Sequence, residues 1–158
     1  GGITGKISQE ISAVTKELTQ TESALVQGSS KAAEGILKGS VDGLTAAEKK
    51  VVGELVSQGK TVEIIPKTTQ AKTPDFFVDA VKTELKTLQN PNTGTGMKRI
   101  QEGFGQGAEK VIIDARESGL TSSQAQEVIN RALGKYPGGQ LPGRVEIWTG
   151  EAIITYIP

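Results

Sequence analysis

Apolar residues open the chain in alternating steps of four and three: Ile7, Ile11, Val14, Leu18 and Leu25, with Thr21 filling the one gap. A period of about 3.5 predicts a helix packing along another helix. The seam is short, so a helix lying on a globular core fits it at least as well as an oligomeric coiled coil. Gly28 to Gly43 is rich in Gly, Ser and Ala and reads as a connector, with a candidate short helix at Lys31 to Leu37. A second helix follows, opened by a Thr45/Glu48 capping box, striped by Ala47, Val51, Val52, Leu55 and Val56, and ending near Gly59. Thr61 to Ile65 predicts a strand closed by Pro66, and the polar stretch Lys67 to Pro74 an exposed loop.

Two β-rich runs, Phe76 to Val78 and Val81 to Leu88, then abut across Asp79-Ala80. This pattern predicts an antiparallel hairpin with a two-residue turn. Gln89 to Gly96 is turn-rich and releases the chain into a helix starting near Thr95, with Met97, Ile100, Phe104 and Ala108 on its buried side. Gly103, Gly105 and Gly107 in or beside it point to close approach to another backbone. Lys110 to Asp114 reads as a buried strand. Thr121 and Gln124 cap a helix striped by Ala125, Val128, Ile129, Ala132 and Leu133. A Pro/Gly loop, Tyr136 to Gly143, precedes a terminal hairpin of Arg144 to Trp148 and Ala152 to Ile157. Helices alternating with strands of both senses define an α/β fold, a mixed β-sheet flanked by helices, with an N-terminal helical segment.

The central hairpin carries the candidate chemistry. With a two-residue turn at Asp79-Ala80, cross-strand partners have numbers summing to 159, so Asp75 faces Glu84. Their Cβ atoms then lie roughly 4.5–5.5 Å apart, where two carboxylates repel unless a cation or a shared proton sits between them. Strand alternation returns Lys86 to the same face. Such a patch suits a hard divalent ion held by carboxylates, which lowers the pKa of its water, with an amine offsetting charge on a phosphate. The plainer alternative is three surface charges on a half-exposed hairpin, and an odd-length loop would separate the two acids.

Composition narrows the chemistry further. The 158 residues carry 18 acidic and 18 basic side chains, so no global basic field points to nucleic acid; a local patch would have to serve. There is no Cys and no His, which removes thiolate zinc sites, disulfides, imidazole ligands and histidine acid/base catalysis. No transmembrane run or signal peptide is apparent, so membrane insertion is not expected. Gly1-Gly2 without Met is expected of a piece of a longer polypeptide or a cloning scar. The Gly-rich stretch before Lys98 lacks Walker spacing. Trp148 reads as core or edge packing, and Asp114 and Arg116 as an ion pair.

Pro74-Asp75 followed by Glu84-Leu85-Lys86 resembles the signature of the PD-(D/E)xK nuclease superfamily, whose core order of helix, three strands, helix and strand matches the pattern from Thr45 onward. The wider stretch GKTVEIIPKTTQAKTPDFFVDAVKTELKTL, with VIIDAR and VEIW downstream, resembles the C-terminal toxin domains of contact-dependent growth inhibition proteins (CdiA type) and related polymorphic toxins. Ala80 departs from the Gly that suits a tight turn. The resemblance implies a delivery or docking segment at 1–43 and a nuclease toxin domain at 44–158. It implies a tRNase, alternatively a DNase, delivered from a secreted or cell-surface protein into the cytoplasm of a target bacterium and neutralised by a cognate immunity protein, with elongation factor Tu a candidate host partner. On this reading Asp75 and Glu84, helped by Glu54, hold Mg²⁺, with Zn²⁺ or Mn²⁺ as alternatives. Lys86 completes the catalytic group, and Lys98, Arg99, Thr87 and Gln101 contact substrate; Gln101 and Gln106 would both face the site on this reading, against the plainer one of solvated glutamines. A metal-free ribonuclease of the barnase/colicin type and a non-enzymatic docking module are the rival readings.

Overall fold

The computed structural model describes residues 34–66 and 75–158. The predicted N-terminal seam and the Lys67–Pro74 loop lie outside the described residues. Among the described residues seven strands form one mixed sheet whose spatial order follows the chain. They are β1 (Ile36–Lys38), β2 (Thr61–Ile65), β3 (Asp75–Val78), β4 (Val81–Thr87), β5 (Lys110–Asp114), β6 (Arg144–Trp148) and β7 (Ile153–Tyr156). Among the described residues three α-helices accompany it: α1 (Ala46–Ser57), α2 (Thr93–Gly105) and α3 (Ser122–Leu133). β1 pairs parallel with β2, β4 with β5 and β5 with β6, and the remaining neighbours are antiparallel.

Alternation divides the core between the two faces. Val51, Val52 and Leu55 of α1 pack on Val62, Ile64, Phe76, Val78, Leu85 and Ile112. Residues one step out of phase, Val111, Ile113, Val145 and Ile147, meet Ile100 of α2 and Val128 and Ile129 of α3 on the other face. The crossovers β4–α2–β5 and β5–α3–β6 step across the sheet in one direction, so a common hand places both helices on one face. Both capping boxes form as expected, Thr45 with Glu48 and Thr121 with Gln124. Trp148 is buried in the core.

One expected connector is in part a strand. Ile36–Lys38, at the end of the candidate helix Lys31–Leu37, runs parallel to β2 at the edge of the sheet. Gly35 permits this, because any side chain there would collide with the Lys60 carbonyl. The backbone closes the join through Gly35 N–H donating to Val56 O at 2.7 Å and Ile36 N–H to Lys60 O at 3.1 Å.

The central hairpin has the expected two-residue turn and register, with Phe76 opposite Thr83 and Val78 opposite Val81. Asp79 and Ala80 both take left-handed backbone angles, φ 50° and 67°. Asp79 tolerates this, and its carboxylate accepts the Thr61 amide at 2.9 Å. Ala80 has no such compensation, so Ala80→Gly is expected to stabilise the domain by about 1 kcal/mol, seen as a higher Tm.

Gly103 explains how close α2 comes to the sheet, since a β-carbon there would lie 2.5 Å from Val111 Cγ2 and 3.5 Å from Glu84 Cβ. Gly53, on the exposed side of α1, has open space around it. Gly53→Ala should therefore gain about 0.8–1 kcal/mol of helix propensity. Gly103→Val should lose about 1–3 kcal/mol to overpacking. Urea denaturation of the two variants would show midpoint shifts of opposite sign.

Candidate active site on the helix-flanked face

β4 presents Lys82, Glu84 and Lys86 to the face carrying α2, while Thr83 and Leu85 turn the other way. The hairpin register, continued one residue past Phe76–Thr83, sets Asp75 opposite Glu84. On the next strand Val111 stands beside Glu84, and α2 crosses above this pair. The patch therefore sits where the helix-covered half of the sheet meets β3 and β2, whose Ile65 is exposed on the same face.

Glu84 is 6% exposed, yet among the described residues its carboxylate accepts no hydrogen bond. Among the described residues its nearest cation is Lys86, Nζ to Oε1 4.0 Å. Burial pushes its carboxyl pKa up, as do the negative charges of Asp75 and Glu48, while Lys86 and Lys82 pull it down. The Lys86 ammonium donates to Gln106 Oε1 at 3.1 Å, which fixes the amine near Glu84. Gln106 is the C-cap of α2, so the end of the helix positions the lysine. Lys82 lies 4.0 Å from Asp75 Oδ1. Its place on the face follows from counting back two residues from Glu84, a signal present in the sequence though Lys82 is not among the expected site residues.

Glu54 does not join this patch. Its helix docks through Val51, Val52 and Leu55 on the opposite face, and its carboxylate lies 3.7 Å from Arg116 Nη1. Arg116 makes the expected pair with Asp114, at 2.8 and 3.0 Å, and stacks 4.8 Å over the Trp148 ring. Burial works against the charge of Asp114, but the Arg116 hydrogen bonds outweigh it and hold that carboxyl below its usual range.

The expected substrate contacts are dispersed. Thr87 and Arg99 line a cavity of about 280 Å³ with Leu88, Gln89, Asn90 and Thr95. Arg99 is engaged by Glu102 at 3.1 Å. Lys98 is exposed and Gln101 partly buried on α2, and among the described residues no contact ties either to the Asp75–Glu84 patch. The helix begins at Thr93, two residues before the expected start, because Asn92 caps it and accepts the Thr95 amide at 2.9 Å. That amide is therefore already satisfied and is not free for a phosphate. Thr87 also lines a cavity of about 410 Å³ on the α1 side, with Lys50, Asp114 and Glu117.

Among the described residues no three acidic side chains gather as a metal site. Two carboxylates alone fit Mg²⁺, which keeps several waters and binds through one or two protein carboxylates. The buried Glu84, which faces Asp75 and among the described residues accepts no hydrogen bond, is the kind of group such an ion would satisfy. None of the described helices is long and apolar enough to cross a membrane.

The fold and this patch define an α/β domain with paired carboxylates and an amine on one face of a mixed sheet. The family model for the contact-dependent growth inhibition CdiA C-terminal domain matches residues 72–154, more than half of the chain, and the chain belongs to that family. Its fold is similar to that in the structure described as "CdiA-CT/CdiI toxin and immunity complex from Burkholderia pseudomallei", with a TM-score of 0.56 at 15% identity, covering 78% of this chain and 100% of that one. No curated protein matches the chain.

Proposed function

We propose that this domain is an antibacterial nuclease toxin that cleaves phosphodiester bonds, with tRNA in the cytoplasm of a target bacterium as its substrate and a cognate immunity protein as its inhibitor. The observation that carries the reading is the convergence of Asp75, Glu84 and Lys86 on one face, with Gln106 holding the amine. Family membership and the likeness to a toxin in a toxin–immunity complex support it, as they support delivery from a larger cell-surface protein. Elongation factor Tu stays a candidate host partner on resemblance alone.

Asp75 and Glu84 would hold a divalent ion, Mg²⁺ first and Mn²⁺ or Zn²⁺ after it. When bound, such an ion supplies Lewis acidity and water of lowered pKa. Lys86 offsets the negative charge that grows on the phosphate oxygens, and Gln106 keeps the ammonium aimed without neutralising it. Lys98, Arg99, Thr87 and Gln101 would guide the flanking backbone.

A second reading is favoured by one feature, the buried Glu84 carboxyl with its raised pKa. Such a group is suited to take the proton of a ribose 2′-hydroxyl, so that RNA supplies its own nucleophile and no metal is needed. Inducible expression in bacteria, with total RNA and chromosomal DNA examined side by side, separates the outcomes. Wild type should fragment tRNA and leave DNA intact, and Lys86→Ala should reduce cleavage at least about a hundredfold. Cut DNA would replace the substrate, full activity of purified protein in EDTA would replace the metal, and an active Lys86→Ala would remove the site.

A further inference from the structure

Lys82 has no part in the reading above, yet it is built into the same patch. Its ammonium lies 4.0 Å from Asp75 Oδ1, as that of Lys86 lies 4.0 Å from Glu84 Oε1. Both separations exceed a direct hydrogen bond, so each carboxylate is offset by a nearby charge without being capped by it. Among the described residues, two carboxylates and two ammoniums make the patch neutral. The Lys82 ammonium also lies beside Gly107, 3.6 Å from where a β-carbon would stand on that residue. Gly107, at φ 90°, follows the C-cap of α2, so the lysine reaches the end of the helix where the aligned peptide dipoles are negative.

Resting on the proposal that Asp75 and Glu84 take a divalent ion, we infer that Lys82 is the internal counter-ion of the metal-free site, relieving the Asp75–Glu84 repulsion until an ion displaces it toward the α2 C-terminus. Two consequences follow from the charges. The lysine stabilises the empty site and competes with the ion for it. Ion binding changes the patch from neutral to doubly positive, so a nucleic-acid phosphate is favoured only after the ion is in place.

The test is calorimetric titration of Mn²⁺ into the whole chain, alongside thermal melting in EDTA. Lys82→Gln should bind Mn²⁺ about fivefold more tightly than wild type and melt at a lower temperature in EDTA. These opposite signs are not expected of a lysine that merely supports the fold. Lys82→Arg, which keeps the charge, should retain the wild-type Mn²⁺ affinity. Lys38→Gln, on the edge strand of the same face, should change neither quantity, and an equal shift there would reduce the effect to general surface charge and overturn the inference. Equal Mn²⁺ affinity in wild type and Lys82→Gln would overturn the counter-ion role while leaving the metal reading intact. A wild-type chain that binds no Mn²⁺ would overturn both.

Discussion

Glu84→Gln is expected to abolish toxicity and to make the metal-free protein more stable at neutral pH. The loss of activity follows from removing one of two carboxylates, and should exceed about a hundredfold, the upper range for disturbing even an outer partner of a metal site. The gain in stability follows from burial. Glutamine keeps the shape of the side chain and removes a charge that is desolvated and faces Asp75. Because the folded protein raises the Glu84 pKa above its ordinary 4.5, the group favours folding fully below that value. The contribution is lost as pH rises through the folded pKa. Melting curves in EDTA should therefore separate wild type from Glu84→Gln increasingly as pH is raised from acid toward neutral. A variant that is inactive and also less stable at neutral pH would make Glu84 a structural acid.

Lys110→Met should produce the largest loss of stability, about 3 kcal/mol. Lys110 lies on the face of the sheet opposite the candidate site and is 8% exposed, its ammonium 2.7 Å from Glu146 Oε2. Glu146 also accepts the Trp148 indole N–H at 3.0 Å. Burial alone would raise the Glu146 pKa, but the hydrogen bonds from Lys110 and Trp148 overcome it and hold the carboxyl below its usual value. A carboxylate so depressed contributes stability above its unfolded pKa and loses it as pH falls through the folded pKa. Lys110→Met removes the principal cause of that depression, so urea midpoints should show the full deficit at neutral pH and a smaller one in acid. Lys110→Met combined with Glu146→Leu should recover most of the loss, since no charge is then left buried alone.

How much of this could be read from the chain varies by element. The capping residues at Thr45 and Thr121 and the two β-rich runs abutting at Asp79-Ala80 state their structures locally, and the Asp75–Glu84 facing follows from arithmetic once the turn is fixed there. β1 does not announce itself. Its three residues, Ile36, Leu37 and Lys38, are all exposed, and only the neighbouring strand defines them. The helix carrying Glu54 was legible, but the face on which it docks was not. Sequence periodicity fixes which side of a helix is buried, while the path of the chain around the sheet decides which layer receives it. The α2 start shows a smaller version of this limit, because Asn92 and Thr95 offer competing caps and the side chain that reaches the open amide wins.

The three-residue strand at the sheet's margin bears on how the domain should be produced as a recombinant fragment. A cut placed at Leu44, the border the resemblance implies, would strip Thr61–Ile65 of a neighbour and leave its peptide groups as a seam on which further molecules can stack. Starting the polypeptide at or before Gly35 keeps that margin closed and should give the more soluble material.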